Sequence, residues 1–523
     1  MFFQKKKEEI INPKVLLVIL DGWGRGKQDL SNPLVEAHLP TIQYLEENYP
    51  SGSLQASGIA IGLPWGEVGN SEVGHLTLGA GKILYQHYPK ITMAIQDGSF
   101  FQNTAFLEAV AHVKKNNSKL HLIGVLTSGT VHAAFEHVLA LAELAKKNEI
   151  TRLYLHPFGD GRDGPPEGGL ALTKQLVEHL KKIGVGKVST TCGRYYGMDR
   201  DGNWDRTKQA YELITQGAGT YTKTLDEAFQ PTYDKKLTDE FVPPHTFLLP
   251  AEENGLIENN DAVVFWDFRE DSIRQITTPF ALPNFTSFST HIPSNLCVVT
   301  MTHYDDAFNA ARVAFPPEVV AHPLSRAVSD AGKKQLKIAE TDKYAHVTNF
   351  FNGFEENPFP QEDRILVPSK HGNAKESAPE FMAPTITQHI IEAIDSKKYD
   401  LVVVNYANAD LIAHAGEYEL ARQSVEVLDT QLGQIVSKIE QHPEYHLIIT
   451  ADHGNVESLR NPYTGVPETK HNISPVPVYI VQKDLKGNRD GVGDGILSDI
   501  APTILAFLNL PKPPEMSGKN LLE

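Results

Sequence analysis

The sequence predicts an α/β protein with mostly parallel sheets covered by helices. Short apolar runs bounded by Gly, Asp or Asn recur along the chain, and helix-like segments such as 135–147 and 170–182 lie between them. Strands that alternate with helices favour parallel sheets over hairpins. The runs include 15–20, 121–126, 153–155, 263–266, 401–404 and 447–449.

Polar residues follow several of these runs at the point where each predicted strand ends. Asp21 comes directly after the first run, Asp410 follows 401–404, and Asp452 with His453 follows the last run. Because the carboxyl ends of parallel strands meet at one edge of a sheet, ligands gather there. We therefore expect a functional site built from these residues.

A second set of polar residues lies in the middle of the chain. Four of them each follow a separate strand-like run: His132, Asp163, Arg194 and Arg269. This predicts a second α/β layer with a polar rim of its own. Prolines interrupt the pattern at 85–89 and 315–320, which are the candidate joints between the two layers.

The composition narrows the class of protein. Among 523 residues, 48 Lys and Arg stand against 65 Asp and Glu, a net charge of −17, which speaks against nucleic acid or an anionic membrane as the main partner. No apolar run approaches the roughly 20 residues that span a bilayer. The charges of residues 1–9 (MFFQKKKEE) are not followed by the apolar core of a secretory signal, which favours a solvated tail. The two cysteines, Cys192 and Cys297, argue against a disulfide scaffold, so we expect a cytoplasmic protein.

Carboxylate and imidazole side chains occur with the spacing of metal ligands. Asp410 and His414 are four residues apart, so on a helix both point the same way and can share one cation. Asp452 and His453 are adjacent in a predicted loop and can serve two cations, and His471 lies in another loop. Such mixed ligands suit Mn²⁺ or Zn²⁺ better than Ca²⁺. Each group alone is also explained by a solvated helix face or a turn, and their conjunction favours the metal site.

Ser71 is the candidate nucleophile, in the segment GNSEVGH (69–75). Helix-compatible residues follow it, which places the hydroxyl near a helix N-terminus, where backbone N–H groups favour an anion. A serine hydroxyl is a weak nucleophile, and coordination to a metal ion would lower its pKa. The alternative is that Ser71 caps the helix, since serine is a preferred N-cap. Beside the metal ligands, the nucleophilic role is favoured.

Three loops that contain arginine follow strands in the middle of the chain, at 158–166, 193–201 and 266–274, and the first two also contain glycine. Arginine suits bidentate capture of carboxylate and phosphate. Asp163, in the first loop, can accept a proton from a substrate hydroxyl. The alternative for each loop is a network of surface ion pairs. Together with the metal groups, the loops point to transfer of a phosphoryl group.

At this point the residues resemble a known family over nearly the whole chain after the tail. The matching segments are LDGWG (20–24), the Ser71 segment continuing to GAG (79–81), 194–200, ETDKYAHVT (340–348), NYAN (405–408) and TADHGN (450–455). The chain is similar to the cofactor-independent (2,3-bisphosphoglycerate-independent) phosphoglycerate mutases of the alkaline phosphatase superfamily. The resemblance implies two α/β domains: a phosphatase-like metal domain at 1–86 and 317–523, and an inserted phosphotransferase or substrate domain at 87–316.

The resemblance also implies the ligands of two Mn²⁺ ions, with Co²⁺, Zn²⁺ and Mg²⁺ as alternatives. One ion would be held by Asp410, His414 and His471, and the other by Asp21, Ser71, Asp452 and His453. The implied substrate contacts are His132, Arg162, Asp163, Arg194, Arg200, Arg269 and Lys343, with Asp163 as the general base.

The implied activity is that of an isomerase of glycolysis and gluconeogenesis, which interconverts 3-phosphoglycerate and 2-phosphoglycerate. The phosphoryl group would pass to Ser71, and phosphoserine would return it to the other hydroxyl of the bound glycerate. Such a reaction requires no added 2,3-bisphosphoglycerate. We expect a monomer whose partner is the small phosphoglycerate.

The chain departs from the family pattern on the glycerate side. Ser272 stands where a second arginine is usual, Glu270 replaces the usual proline, and Gly164 replaces threonine. Arg274 is a candidate to compensate. These changes keep an alternative open, a metal-dependent phosphatase or a mutase of another phosphorylated hydroxy acid in the same superfamily. A non-catalytic binding protein is disfavoured, because all seven metal-side positions, Ser71 included, are intact.

Overall fold

The computed structural model describes residues 12–247, 254–289, 291–370, 378–488 and 492–523. The chain divides into two compact units, one made of residues up to 85 together with 318–523, and the other of 86–317. The tail predicted over 1–9 lies outside the described residues. Among the described helices, none has both the length and the hydropathy needed to cross a membrane.

Strands and helices alternate along both units. The strands are β1 (Lys14–Leu20), β2 (Ser51–Gln55), β3 (Leu120–Leu126), β4 (Leu153–Gly159), β5 (Lys187–Val188), β6 (Thr190–Gly193), β7 (Thr220–Tyr221), β8 (His245–Thr246), β9 (Ala262–Phe265), β10 (Cys297–Thr302), β11 (Arg312–Phe315), β12 (Gln335–Glu340), β13 (Glu362–Val367), β14 (Leu401–Tyr406), β15 (Tyr445–Thr450), β16 (Val476–Val481) and β17 (Gly495–Ile496). The α-helices span Pro33–Glu36, Pro40–Asn48, Ser71–Ala80, His87–Asp97, Thr104–Asn116, Phe135–Lys147, Gly169–Ile183, Arg194–Gly197, Trp204–Gln216, Leu225–Asp234, Glu270–Ala281, Leu324–Asp330, Ala383–Ser396, Asn408–Ala415, Tyr418–Glu440 and Ile500–Phe507.

The first unit is organised around a sheet with the strand order β13-β12-β14-β1-β15-β16-β2-β17. β1 lies between β14 and β15, is parallel to both, and has all seven residues buried. A strand that is buried on both faces takes a continuous apolar run, which explains the sequence KVLLVIL. Among the described strands of this sheet, β16 alone runs antiparallel to its neighbours.

The parallel strands of the first sheet deliver polar residues to one edge. Asp21 follows β1, Asp410 lies shortly after β14, Asp452 and His453 come after β15, and Lys343 ends the short 3₁₀ turn after β12. Since β12, β14, β1 and β15 are neighbours and parallel, their carboxyl ends lie side by side.

The second unit repeats this principle in a sheet of its own. Its strand order is β11-β10-β9-β3-β4-β6-β8-β7, with β5 beside β4. β9, β3, β4 and β6 are parallel neighbours, and β8 pairs antiparallel with β6. The residues that follow the ends of these four strands are His132, Asp163, Arg194 and Arg269.

Each unit has an apolar core of its own. In the first unit, the helices Ala383–Ser396 and Tyr418–Glu440 contribute buried residues to the core around the central strands. In the second unit, the helices Thr104–Asn116 and Phe135–Lys147 do the same. The predicted α/β class with mostly parallel sheets is confirmed.

Candidate active site

Ser71 is the first residue of the helix Ser71–Ala80, and it is buried. Asn70 precedes it as the N-cap, and its side chain accepts a hydrogen bond from Val73 N at 2.9 Å. The interpretation of Ser71 as the cap is therefore wrong, because the adjacent asparagine fills that position. The Ser71 hydroxyl is left free to face the polar edge of the sheet.

The Ser71 Oγ atom has three polar neighbours. It donates to Asp21 Oδ1 at 3.2 Å and lies 2.9 Å from His453 Nε2. Lys343 Nζ donates to it at 2.8 Å. A hydroxyl between a carboxylate, an imidazole and an ammonium group has an acceptor for its proton and a cation for the resulting oxyanion.

A glycine after Asp21 allows two strand ends to approach each other. Gly22 adopts a φ of +71°, and a Cβ atom there would lie 2.8 Å from the Cβ of Asp410. The Gly22 N–H donates to Asp452 Oδ1 at 3.2 Å. Glycine takes this backbone conformation without strain and leaves room for Asp410, so it holds the three aspartates close together.

Asp410, His414 and His471 meet at this edge. Asp410 Oδ1 is 3.3 Å from Nε2 of each histidine, and the two Nε2 atoms are 3.1 Å apart. Nδ1 of His414 lies 3.0 Å from Thr469 O, and Nδ1 of His471 lies 2.8 Å from Gly69 O. Since a carbonyl oxygen only accepts, both imidazoles carry a proton on Nδ1 and turn Nε2 toward Asp410.

Asp452 and His453 face the same centre as Asp21. His453 Nε2 lies 3.5 Å from Asp21 Oδ1 and 3.6 Å from Asp452 Oδ2. Asp452 Oδ1 accepts hydrogen bonds from the backbone of Gly22 and of His453. Asp452 Oδ2 is buried, and within the described residues it accepts no hydrogen bond. The nearby Nδ1–H of His75, 3.1 Å away, is directed to Ser71 O instead, so this buried anionic oxygen calls for a cation.

Three buried carboxylates share this centre with one ammonium group. Lys343 Nζ donates to Asp21 Oδ1 and to Asp410 Oδ2, at 2.7 Å each. Burial opposes the charge of Lys343, but the carboxylates of Asp21, Asp410 and Asp452 outweigh it and raise the pKa of the lysine. Burial also opposes a proton on His453, yet Asp452 and Asp21 raise its pKa to about 9. Lys343 and a protonated His453 together balance two of the three negative charges, and the remaining one favours cation binding.

The donor atoms of this centre fit divalent cations. Two groups have ligand atoms within 4.8 Å of one another: Asp410, His453 and His471, and Asp21, His75 and Asp452. The predicted ligand sets group the side chains differently. They assign Asp410, His414 and His471 to one ion, and Asp21, Ser71, Asp452 and His453 to the other. Carboxylates and neutral imidazoles are the ligands that Mn²⁺ and Zn²⁺ take in proteins. The division of the ligands between two ions stays a prediction.

Sequence reasoning missed the residues that support the metal-side aspartates. Asn455 Nδ2 donates to Asp410 Oδ1 at 2.9 Å. Glu457 Oε2 accepts hydrogen bonds from the backbone N–H of Gly24 at 2.8 Å and of Asn455 at 2.9 Å. Glu457 thus joins the loop after β1 to the loop after β15. Asn455 lies in the segment TADHGN, but no spacing in the sequence pairs Glu457 with Gly24.

His75 and Asn405 were missed as well. His75 lies four residues after Ser71 on the same helix, and this spacing alone was enough to predict their contact. Asn405 lies opposite Ile19 of β1 in the sheet, a pairing that only the register reveals.

The second unit holds a cavity of about 280 Å³. Six of the seven predicted substrate contacts line it: His132, Arg162, Asp163, Arg194, Arg200 and Arg269. The seventh, Lys343, lies in the first unit beside Ser71. Each unit therefore gathers a separate part of the predicted set.

Carboxylates hold the arginines of this cavity. Arg162 donates from Nε to Glu240 Oε2 at 2.7 Å and from Nη2 to Oε1 of the same carboxylate. Arg194 Nη1 donates to Asp160 Oδ1 at 2.6 Å and to Asp163 Oδ2 at 2.9 Å. These pairs orient the guanidinium planes before any ligand binds.

Arg200 and Arg269 share one carboxylate. Arg200 Nη1 lies 2.7 Å from Asp271 Oδ2, and Arg269 Nη2 lies 3.0 Å from the same oxygen. The two arginine side chains are 51% and 47% exposed. Each guanidinium group is thus held on one side and faces solvent on the other, where an anion can bind.

His132 lies between two carboxylates of the cavity. Its Nε2 is 3.8 Å from Asp163 Oδ2, and its Nδ1 is 3.6 Å from Asp271 Oδ1. Burial, and then the charge of Arg194, lowers the pKa of His132. A neutral imidazole beside Asp163 can exchange hydrogen bonds with a substrate hydroxyl.

Arg274 does not take the place of the family's second arginine. Its Nε donates to Tyr304 O at 2.6 Å, and it is absent from the described lining of the cavity. Ser272 does line the cavity. Arg206, which the sequence did not single out, also lines it, with Nη1 3.1 Å from Asp199 Oδ2.

Known proteins resemble this chain over nearly its whole length. The family model described as the N-terminus of BPG-independent PGAM matches residues 91–306. A 2,3-bisphosphoglycerate-independent phosphoglycerate mutase of Clostridium botulinum (strain ATCC 19397 / Type A) is 43% identical over 509 residues, which cover 97% of this chain and 99% of that protein. The protein of the same name from Ectopseudomonas mendocina (strain ymp) is 41% identical over 513 residues, covering 98% and 99%.

A solved structure resembles the chain as well. Leishmania mexicana phosphoglycerate mutase, solved at low cobalt concentration, has 27% sequence identity and a TM-score of 0.51, with 98% of each chain covered. The two relatives are more than 40% identical to this chain over nearly its whole length, which shows its family. The arrangement of Ser71, the aspartates and the histidines agrees with this assignment. The chain therefore belongs to the family of 2,3-bisphosphoglycerate-independent phosphoglycerate mutases, which are isomerases.

Proposed function

We propose that this chain interconverts 3-phosphoglycerate and 2-phosphoglycerate through a phosphoserine on Ser71. The names of the relatives support phosphoglycerate as the substrate. The observation that carries the transfer step is the position of Ser71 Oγ, within 3.2 Å of Asp21 Oδ1, His453 Nε2 and Lys343 Nζ.

The proposal includes two divalent cations, of which Mn²⁺ is our choice. One would be held by Asp410, His414 and His471, and the other by Asp21, Ser71, Asp452 and His453. When bound, they supply positive charge to the phosphoryl oxygens and lower the pKa of the serine hydroxyl. Two features support them: the undonated, buried Asp452 Oδ2 and the inward Nε2 atoms of His414 and His471. The Leishmania enzyme, whose structure was solved at low cobalt concentration, lends further support to a divalent ion.

In this proposal the first unit handles the phosphoryl group. Ser71 Oγ passes its proton to Asp21 Oδ1, its acceptor at 3.2 Å, and bonds to phosphorus, while the bond between phosphorus and the glycerate oxygen breaks. Lys343 Nζ, 2.8 Å from Ser71 Oγ, stabilises negative charge on that oxygen. Ser71 is only 7% exposed, which limits the access of water to phosphoserine.

The second unit would bind the glycerate part. Asp163 gives a proton to the glycerate oxygen that is released and takes one from the hydroxyl that attacks phosphoserine. Arg194, Arg200 and Arg269 suit the carboxylate of the substrate, because guanidinium groups bind carboxylates through paired N–H donors. We assign metal chemistry to 1–86 with 317–523 and substrate binding to 87–316.

A second candidate is a mutase of another phosphorylated hydroxy acid. The observation that favours it is the cavity wall at Ser272, where Arg274 turns away to Tyr304 O. Such an enzyme would share the phosphoserine step and differ only in the acid that it binds. A phosphatase of the same superfamily would differ in releasing phosphate to water.

A coupled assay with 3-phosphoglycerate and Mn²⁺, without added 2,3-bisphosphoglycerate, tests the proposal. We expect formation of 2-phosphoglycerate without release of inorganic phosphate, and loss of the activity in Ser71→Ala. Phosphate release without the isomer would establish a phosphatase. Bound metal with neither product would favour the second candidate.

A further inference from the structure

We infer that His75 and Asn405 are positioning residues that hold Asp21 and the nucleophile Ser71 in register, and that His75 is not a metal ligand. The inference rests on the proposed function, because it concerns the metal-side centre on which that function depends. It goes beyond the family's implied ligands, none of which is His75 or Asn405.

Asn405 uses both N–H groups of its side-chain amide inside the centre. It lies in β14 opposite Ile19 of β1, so its side chain reaches the residue just beyond the end of β1. Nδ2 donates to Asp21 Oδ2 at 2.6 Å and lies 3.1 Å from His75 Nε2. The amide therefore bridges a carboxylate and an imidazole, and all three side chains are fully buried.

The partners of His75 fix its tautomer. Nδ1 lies 2.8 Å from Ser71 O, and since a carbonyl oxygen only accepts, Nδ1 carries the proton. Nε2 then has a lone pair, which accepts the N–H of Asn405. Both ring nitrogens of a neutral His75 are thus engaged.

This tautomer argues against His75 as a ligand, although its ring lies among ligand atoms. Donor atoms of Asp21, His75 and Asp452 lie within 4.8 Å of one another. The Nδ1 atom that faces Asp452 Oδ2 at 3.1 Å carries a proton, and the lone pair on Nε2 is occupied by Asn405. A metal ligand needs a lone pair that would face the ion, and Nε2 of His414 has one turned toward Asp410.

The bridge runs from Asp21 Oδ2 through Asn405 and His75 to the backbone carbonyl of Ser71. It holds one oxygen of Asp21, and the other, Oδ1, then faces Ser71 Oγ at 3.2 Å. It also ties the first turn of the nucleophile's helix to the end of β1. Removing either bridging side chain frees Asp21 to rotate away from its place beside Ser71.

The test is isothermal titration of the metal-free, full-length protein with Mn²⁺ alone. The variants are Asn405→Ala and His75→Phe, which keeps the ring volume. The matched control is Thr77→Val, on the same helix, where a buried hydroxyl donates to Val73 O at 2.8 Å and takes no part in the bridge. Far-UV circular dichroism of the metal-free proteins checks the fold, and His75→Gln replaces His75→Phe if that variant fails to fold.

We expect every protein to bind two Mn²⁺, with one of the two affinities about 10–100-fold weaker in Asn405→Ala and in His75→Phe. Thr77→Val should match the wild type. The double variant should lose no more than the weaker single variant, because both residues act through one bridge.

Three results would overturn the inference. Unchanged affinities in Asn405→Ala would show that the amide positions nothing. Loss of one whole equivalent in the His75 variant, with both ions kept in Asn405→Ala, would make His75 a ligand. If the losses of Mn²⁺ affinity in the two single variants add up in the double variant, the two residues act independently and not through one bridge. A wild type that binds no Mn²⁺ would instead overturn the proposed metal centre, and the inference with it.

Discussion

The metal-side centre of the first unit and the arginine cavity of the second hold their polar side chains in different ways. Asp21 and Asp452 are completely buried, and neighbouring backbone and side-chain groups fix them. Arg200 and Arg269 keep about half of their side chains exposed and are held on one side by Asp271. One region is a rigid site, and the other presents long side chains that can adjust.

This contrast matches the two tasks of a group transfer. Charge that develops on a reacting oxygen is stabilised best by groups that need no reorganisation. Recognition of an acid tolerates adjustment, because a guanidinium group offers several N–H donors in one plane. The predictions below test each side of this contrast.

The largest effect is expected from Asp410→Asn. Asp410 Oδ1 lies 3.3 Å from Nε2 of both His414 and His471, so the substitution removes the charge around which the two imidazoles converge. We expect one bound divalent ion fewer per chain and a mutase rate lower by about a thousandfold. Metal content and initial rates measure this. The control is Asp400→Asn, just before the same strand, where Asp400 pairs with Lys14 at 3.7 Å. A variant that keeps both ions would show that the centre is less rigid than we describe.

Gly22→Ala tests the packing of the same centre. Gly22 and Gly332 both adopt a φ of +71°, so alanine costs about 1–2 kcal/mol of backbone strain at either position. A Cβ atom at Gly22 would lie 2.8 Å from Asp410 Cβ, whereas one at Gly332 meets nothing within 4 Å. We expect kcat to fall about a hundredfold in Gly22→Ala, since a misplacement of about 1 Å can cost that much. Gly332→Ala should lose stability alone. Equal kcat values in the two variants would contradict the prediction.

Arg269→Ala tests the adjustable side of the comparison. Arg269 lines the cavity, whereas the guanidinium group of Arg274 is bound to Tyr304 O outside it. Loss of a hydrogen bond to a charged group costs about 1.5–3 kcal/mol, so KM should rise about 10–100-fold, with a smaller change in kcat. Arg274→Ala, the matched control, should keep the KM of the wild type. Steady-state kinetics with 3-phosphoglycerate measures KM and kcat of both variants. An equal rise of KM in the two variants would contradict the prediction that Arg269, and not Arg274, binds the substrate.

The smallest effect concerns Lys337, a buried lysine whose pKa is dominated by burial, although the charge of Glu362 opposes the shift. Its Nζ donates to Ser325 Oγ at 2.8 Å and lies 4.0 Å from the centroid of the Phe351 ring. Burial lowers the pKa of Lys337 to about 7, against about 10.4 in an unfolded chain. Between these values the unfolded chain binds one more proton than the folded one, so the free energy of unfolding rises with pH.

Lys337→Met should remove this dependence on pH. Relative to the variant, the wild type should gain up to about 1.4 kcal/mol of stability per pH unit between about pH 7 and about pH 9. Urea unfolding at several pH values measures the difference. Lys397→Met, at an exposed lysine paired with Glu444, is the control. A difference between wild type and Lys337→Met that stays constant with pH would contradict a lowered pKa.

The fold, and the gathering of Asp21, Asp410, Asp452 and His453 at one edge of the sheet, could be predicted because they depend on local sequence. A buried parallel strand such as β1 takes an uninterrupted apolar run, and the residue that follows it lies at the edge where ligands gather. The four-residue spacing of Asp410 and His414 is likewise a local signal. These features need no knowledge of which strands are neighbours.

The remaining contacts depend on pairings that the sequence does not contain. Asn70 and Ser71 are both good caps, and the sequence does not show that the helix begins at Ser71, which makes Asn70 the cap. Asp271 holds Arg200, which comes from a different loop. Asn405 meets His75 because β14 lies beside β1. Neither the spacing nor the periodicity of the sequence indicates any of these arrangements.

Main-chain oxygen atoms accept from Nδ1 of three histidines, His75, His414 and His471, and this affects how the site tolerates sequence drift. The acceptor for His414 is Thr469 O, an atom that every amino acid supplies. His75 depends in addition, at Nε2, on the side chain of Asn405, which a single substitution removes. A substitution at position 469 therefore leaves the acceptor of His414 in place, whereas a substitution at Asn405 removes one contact of His75 and one of Asp21.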